Sequence, residues 1–555
     1  MSLKILVIIL ISLCSLTSYS QTRYVVRFTD KNNSPFSVSS PLGFLSQRAI
    51  DRRTKQGISI DQNDLPVNPS YIQSVQNTGA TILNVTKWLN AIVVDAPTPT
   101  ILAAINALPF VQNAVNVGRI KIHSTIKDKF TEENALPLNL NGNESARTSL
   151  LSYGSAFTQT AMIGLTDLHD LGYTGQGMII AVIDAGFFDA NNMTCFDSLF
   201  LQNRIISTYD FVDHEADVYD DNYHGAAVLS CMAANVPGDF IGTAPDASYI
   251  LLRSEDANSE LIIEEYNWAV AAEYADSAGA DVINSSLGYY TFDDPTQNMS
   301  YQDMNGNTAP STIAADLAVK KGMMVVVSAG NEGSSNWNYI GTPADADSVL
   351  AIGAVNDLGQ YASFSSNGPT ADGRVKPDVS AQGANTWLYT PFSSNAVTQA
   401  NGTSFSSPIM AGASACLWQA WSQMNCVEVM NAIRRSASQF NNPDTLLGFG
   451  IPNFSLANSL LSLSEFNIPE NAVIHIFPNP WTGNDPAHVL FYSDSSQDIT
   501  LTLTDLAGRI IKSQKQPVNG AAWNDLELNT VVSSGLYLVR IDTRNSVIVK
   551  TIVRR

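Results

Sequence analysis

Basic residues are scarce in this chain. Across 555 residues, 30 Lys and Arg stand against 51 Asp and Glu, a net charge of −21. That balance excludes the phosphate neutralisation on which nucleic-acid binding depends, and it disfavours anionic membranes. Long apolar runs are lacking as well. The stretch from Ile5 to Leu16 is too short to cross a bilayer, which takes about 18 or more such residues, and no other stretch comes closer. With Lys4 before it and Ser18-Tyr19-Ser20 after it, the run reads as a signal peptide over residues 1–20. Only five cysteines occur, and without Cys14 four remain: Cys195, Cys231, Cys416 and Cys426. Export permits disulfides, but spacing alone assigns no pairing among them. Cys231 and Cys416 fall on apolar helical stretches and also read as buried thiols. The acid-rich loop of Asp210, Asp213, Glu215, Asp217, Asp220 and Asp221 lacks the spacing of an EF-hand and reads as solvated surface.

Histidine is rare too: His123, His169, His214, His224, His475 and His488 are all there are. Any histidine chemistry must come from these six. His224-Gly225 opens a run of small and apolar residues, as where a polar loop enters a buried helix. Upstream, Met178 to Ile183 is continuously apolar and ends in Asp184-Ala185-Gly186. That is the pattern of a buried parallel strand with an acid at its carboxyl end. Downstream, Asn401-Gly402-Thr403-Ser404-Phe405-Ser406-Ser407-Pro408 reads as a loop entering a helix with Ser404 near its start. There the free N–H groups and the dipole favour developing negative charge. Pro408 is expected within the first turn, where its missing N–H costs nothing. Singly, each residue has an ordinary structural reading: an N-cap serine, a core histidine, a paired carboxylate.

In the order Asp, His, Ser, the three segments resemble the active-site motifs of the subtilisin-like serine proteases, the subtilases. A fourth, Val325-Val326-Val327-Ser328-Ala329-Gly330-Asn331-Glu332-Gly333, resembles the strand and turn that carry the family's oxyanion-hole asparagine. The resemblance implies a triad of Asp184, His224 and Ser404, with Asn331 at the oxyanion hole. It implies that Ser286, Leu287 and Gly288 pair with an extended substrate, and that Ala329 and Gly330 line the pocket for the residue before the scissile bond. The chain departs from the family pattern at Ala226 and Met410. No charge is identifiable on the pocket floor, so broad tolerance with a preference for apolar side chains is expected.

The fold class expected is α/β: a subtilisin-like, mostly parallel sheet with helices on both faces, a small α+β propeptide and a C-terminal β-sandwich. Alternating strand and helix patterns place the catalytic domain at 156–460. Residues 21–122 alternate strands and helices and resemble a subtilase propeptide, although 36–70 exceed a minimal one. Residues 123–155 are polar and aperiodic, a linker open to maturation. Residues 471–555 carry about seven short strands. Phe477-Pro478-Asn479-Pro480, Asp505-Leu506-Ala507-Gly508, Ser534-Gly535-Leu536-Tyr537 and Lys550-Thr551-Ile552-Val553 resemble the sorting domain of Bacteroidetes type IX secretion. A carbohydrate- or surface-binding module is the alternative for that tail.

The function expected is that of an exported serine endopeptidase working through an acyl-enzyme, secreted or held at the cell surface. Its partners would be protein or peptide substrates, its own propeptide as inhibitor and the type IX machinery; nucleic acid is not among them, and a monomer is expected. The resemblance requires no cofactor for the chemistry and leaves room for structural calcium, with no ligand set assigned. The alternative is a catalytically silent surface or adhesion protein on the same scaffold. Silence usually needs a lost catalytic residue, and here Asp184, His224, Asn331 and Ser404 are all present.

Overall fold

The computed structural model describes residues 22–119, 128–130, 149–393, 396–465, 474–477, 481, 487–493, 495–520, 522–530, 532–544 and 547–554. The signal-peptide reading of 1–20 and most of the linker at 123–155 lie outside the described residues.

The N-terminal part comprises β1 (Thr22–Phe28), α1 (Gln47–Lys55), α2 (Pro69–Gln76), β2 (Thr81–Thr86), β3 (Ala91–Asp95), α3 (Pro99–Asn106) and β4 (Val111–Arg119). The strands form an antiparallel sheet ordered β2-β3-β1-β4. Side chains alternate across it. Val26, Ile92 and Val94 close one face with Val75 of α2 and Ile105 of α3. Val25, Val93 and Val117 face the other way, against Ile263 and Tyr266. Helix α2 begins at Pro69, two residues before the expected Tyr71, because Asn68 caps it by accepting from the Ser70 N–H at 2.9 Å.

The middle part runs through α4 (Phe157–Met162), α5 (Thr166–Asp170), β5 (Ile179–Asp184), α6 (Asp197–Leu201), β6 (Ile205–Asp210), α7 (His224–Ala233), β7 (Asn235–Val236), β8 (Phe240–Ile241) and β9 (Ser248–Arg253). It continues with α8 (Ile263–Ala278), β10 (Val282–Ser285), α9 (Pro310–Lys320), β11 (Met324–Ser328), β12 (Leu350–Val355), β13 (Val379–Gln382), β14 (Thr386–Tyr389), β15 (Val397–Ala400), α10 (Thr403–Ala420), α11 (Cys426–Arg435) and α12 (Phe454–Glu465). Seven strands form one parallel sheet ordered β13-β12-β11-β10-β5-β9-β6. Strands β5, β11 and β12 are buried along their whole length, which their unbroken apolar runs require. Helices α8 and α9 pack together over β5, β9 and β11, while α7 packs on α10, which crosses β5 and β10 to β13. From β5 the chain moves out to β6, returns through β9, and then crosses to β10 and onward. The reversal beside β5 is a topological switch point, where the carboxyl ends of parallel strands leave a crevice.

Pro408 does not lie in the first turn of α10, as expected, but inside the helix, six residues along. A proline there deprives the carbonyl four residues earlier of its donor. That carbonyl belongs to Ser404, and the Ser286 hydroxyl donates to it at 2.8 Å instead. A neighbouring loop thus makes the interior proline tolerable.

The C-terminal part holds β16 (Ile474–Phe477), β17 (Ala487–Ser493), β18 (Gln497–Asp505), β19 (Ile510–Val518), β20 (Ala522–Leu528), β21 (Gly535–Asp542) and β22 (Val547–Arg554). They form two antiparallel sheets, β16-β17-β20 and β19-β18-β21-β22. Val489, Phe491, Leu501, Leu503, Val539 and Ile541 share a core between the sheets, the sandwich that the alternation predicts. No helix among the described residues is long and apolar enough to cross a membrane.

Candidate active site

Asp184 is the last residue of β5 and is fully buried. Its Oδ1 accepts the Ala185 N–H at 2.8 Å and His224 Nδ1–H at 2.7 Å. A buried carboxylate needs such partners, and this pair fixes both the ring and its tautomer. His224 opens α7, held by the Asn222 side chain, which accepts its backbone N–H at 2.9 Å. Gly225 explains why α7 can start so close to β5. A Cβ there would lie 2.4 Å from the Gly186 carbonyl oxygen and 3.0 Å from Asp184 Cβ. Only glycine lets the histidine approach the acid this closely.

Ser404 is the second residue of α10 and is buried. The next residue, Phe405, places its ring 6.0 Å from that of His224. Ser404 Oγ is 3.4 Å from the Ser286 carbonyl oxygen. Thr403 ties the serine loop to the end of β11. Its N–H and hydroxyl donate to Asn331 Oδ1 at 2.9 and 3.0 Å, and its hydroxyl accepts the Gly330 N–H at 3.1 Å. With its oxygen engaged on Thr403, the Asn331 amide has a set orientation. Sequence reasoning passed over Thr403, although it stands beside Ser404 in the motif. Of the residues expected to bind substrate, Ser286 and Leu287 are buried, Gly288 is exposed, Ala329 is buried and Gly330 half-buried. The structure therefore brings Asp184 onto His224, and Asn331 and Ser286 onto the start of α10.

Residues 128–130 also reach this site. The Phe130 ring stacks on the His224 ring, with centroids 4.1 Å apart and planes 19° from parallel. Asp128 Oδ2 accepts from the Asn222 amide at 2.9 Å, and the Lys129 N–H donates to the Ala257 carbonyl at 3.1 Å. No signal in this aperiodic stretch marks it as a partner of the histidine; the contact arises only from the fold.

Among the described residues, two groups of acids come close enough to hold a cation, Asp210 with Asp213 and Asp221, and Glu255 with Glu260 and Glu264. Each already surrounds a cationic side chain. Arg253 Nη1 lies 2.6 Å from both Asp210 and Asp213 and 2.9 Å from Asp221. The reading of the acid-rich loop as solvated surface holds for Asp213, Glu215, Asp217 and Asp220, which are exposed, and fails at Asp210, the last residue of β6, which is fully buried on that guanidinium. Burial pushes the Asp221 carboxyl up to about 6, against the pull of Arg253. Lys129 fills the second group. The four described cysteines are free, buried thiols.

Comparison with known proteins identifies three segments. The Subtilase family matches residues 175–450. A Bacteroidota peptidase S8 propeptide domain matches 23–134, so it reaches past Phe130 into the stretch read as linker. A secretion system C-terminal sorting domain matches 475–555 and marks the chain as secreted or displayed at the cell surface. Subtilisin E of Bacillus subtilis is 34% identical over 283 residues, which are 50% of this chain and 64% of that relative. Subtilisin DY of Bacillus licheniformis is 32% identical over 274 residues, 48% of this chain and 86% of its own length. A subtilisin of Bacillus pumilus is 35% identical over 258 residues, 45% and 80% of the two chains.

Proposed function

We propose that this chain, which belongs to the subtilase family, is a secreted serine endopeptidase made with an inhibitory N-terminal prosegment. The observation that carries the reading is the buried 2.7 Å bond between Asp184 and His224 beside the N-terminus of the helix that begins with Thr403-Ser404. In this reading Ser404 Oγ attacks the peptide carbonyl while His224 Nε2 takes its proton. Asp184 stabilises the imidazolium through Nδ1. The Ser404 N–H and Asn331 Nδ2 receive the oxyanion, at the helix end where negative charge is favoured. His224 then gives its proton to the leaving amine, and water hydrolyses the acyl-enzyme by the same steps in reverse. The chemistry needs no cofactor, because base, nucleophile and oxyanion donors are all side chains and backbone.

The prosegment reading rests on Phe130, whose ring covers His224. We assign residues 21–122 to a folded prosegment, 123–155 to the connection cut on maturation, 156–460 to the catalytic domain and 471–555 to the sorting domain. The secreted protein should react once with a serine-directed fluorophosphonate, and Ser404→Ala should abolish the adduct, as read by intact mass. A mature protein, freed of the prosegment and of the capping residues 128–130, that takes no label would sink the reading.

A further inference from the structure

The middle residue of the stretch that crosses the cleft is seated in a built pocket. The Lys129 N–H bond to the Ala257 carbonyl lays its backbone along the 254–257 edge. Its side chain runs inward, and the ammonium pairs with Glu255. It also lies 3.1 Å from Glu260 Oε2, 3.2 Å from Glu264 Oε2 and 3.0 Å from the Ser259 carbonyl oxygen. The three carboxylates converge within 4.8 Å of one another, and the Glu255 and Glu264 side chains are each 2% exposed.

Contacts other than the lysine hold this arrangement. Glu264, in the first turn of α8, accepts the N–H groups of Asp256 and Leu261, both at 3.1 Å. The Tyr289 hydroxyl donates to Glu255. Three acids this close repel one another, and burial adds a desolvation cost to each. An ammonium relieves both, since its three donors meet acceptors on several sides. An apolar side chain would leave the charges uncompensated.

We propose that this pocket is a substrate subsite selecting a basic side chain, lysine above all. Once residues 128–130 leave, a peptide laid along the 254–257 edge is chosen for lysine at the place Lys129 occupies. The proposal rests on the endopeptidase reading and deepens it. It also departs from the apolar preference expected from the sequence. The charge sits not on a floor beside Ala329 and Gly330 but in the loop leading into α8. Convergence on one point suits a compact ammonium better than a planar guanidinium.

The test uses the secreted protein as its own processing leaves it. Two fluorogenic peptides reproduce residues 125–133, one with lysine at the place of residue 129 and one with norleucine. The lysine peptide should have a kcat/KM about tenfold higher, the worth of a charge-assisted contact. Glu260→Gln, at the partly exposed rim, should bring the ratio of the two peptides towards one. Equal kcat/KM values in the unmodified protein overturn the proposal. A protein that cleaves neither peptide and takes no fluorophosphonate on Ser404 overturns the endopeptidase reading instead. The pocket is then judged by fluorescence anisotropy of the same peptides. Tighter binding of the lysine peptide upholds it, and equal binding overturns it.

Discussion

At the scale of single residues, function depends on groups that touch no substrate. Thr403 holds the Asn331 amide by its oxygen, so it governs where the amide N–H groups point. Thr403→Val keeps the shape and removes the hydroxyl. The expected result is a kcat about tenfold lower with KM little changed, because only the transition state loses a donor in place. Titrating the active sites with the fluorophosphonate before the steady-state measurement distinguishes this from a folding defect, which would lower the labelled fraction and leave kcat per labelled site unchanged. Glu260 sets a pH response. Burial pushes it up to about 7 despite Lys129, and Glu255 and Asp293 add in the same direction. Burial likewise raises Glu264, with Glu255 reinforcing it. Burial works against the Lys129 charge, but the three glutamates outweigh it and hold the ammonium well above its usual range. Because the ammonium lowers the Glu260 value, that value stands higher still in the vacant pocket. Binding a lysine then expels a proton, so affinity is full at high pH and is lost as pH falls through about 7. KM for the lysine peptide should rise several-fold between about pH 8 and about pH 6, a step the norleucine peptide does not share.

At the scale of elements, the start of α10 depends on a loop from another strand. Ser286→Ala would leave the Ser404 carbonyl, already deprived by Pro408, without its hydroxyl donor. A loss of about 1–3 kcal/mol in stability is expected from denaturant unfolding. In a Pro408→Ala background the same change should cost clearly less, since the introduced alanine supplies the missing N–H. This interior proline was not legible in the sequence, because its compensation comes from Ser286, 118 positions before the Ser404 carbonyl that it serves. The elements that were legible carry their reasons locally. Strands β5 and β11 are unbroken apolar runs, and His224-Gly225 and Asn331 sit in short segments whose neighbours explain them. Asp210 misled for the opposite reason: it stands among acids that are exposed, and only Arg253 from the next strand of the sheet accounts for its burial. Residues 128–130 carried no sign of their destination, since stacking on His224 is a property of the fold and not of the stretch.

At the scale of the whole molecule, the N-terminal part is keyed to the catalytic part through buried charge. Asp276 of α8 lies 2.5 Å from Arg52, 2.9 Å from Arg53 and 3.5 Å from Lys87. Arg53 also meets Asp64, which in turn meets Lys321 at 3.0 Å. Arg52, Arg53 and Asp64 all belong to residues 36–70, the stretch that supplies α1. Asp276→Asn removes the paired carboxylate of Arg52 while Arg53 keeps Asp64, and breaking such a buried pair costs about 3–5 kcal/mol. In an uncleaved Ser404→Ala chain, hydrogen exchange of the α1 amides should accelerate accordingly, and added salt should do little to mimic it. Burial alone would raise Asp276, but Lys87, Arg52 and Arg53 outweigh it and hold it below the usual carboxylate range. Its contribution is therefore present above that range and is lost only as pH falls through the depressed value. Acid thus loosens the grip on Lys129 first and the dock at α1 last. The four thiols give the molecule a gauge of its own breathing. Burial pushes Cys426 up to about 11 and Cys231 to about 12, and it raises Cys195 and Cys416 as well. Inert while closed, they are alkylated only during openings; Cys231, Cys416 and Cys426 sit on α7, α10 and α11, and Cys195 just before α6. The order in which they take a reagent should chart which walls of the molecule part first, with no residue changed.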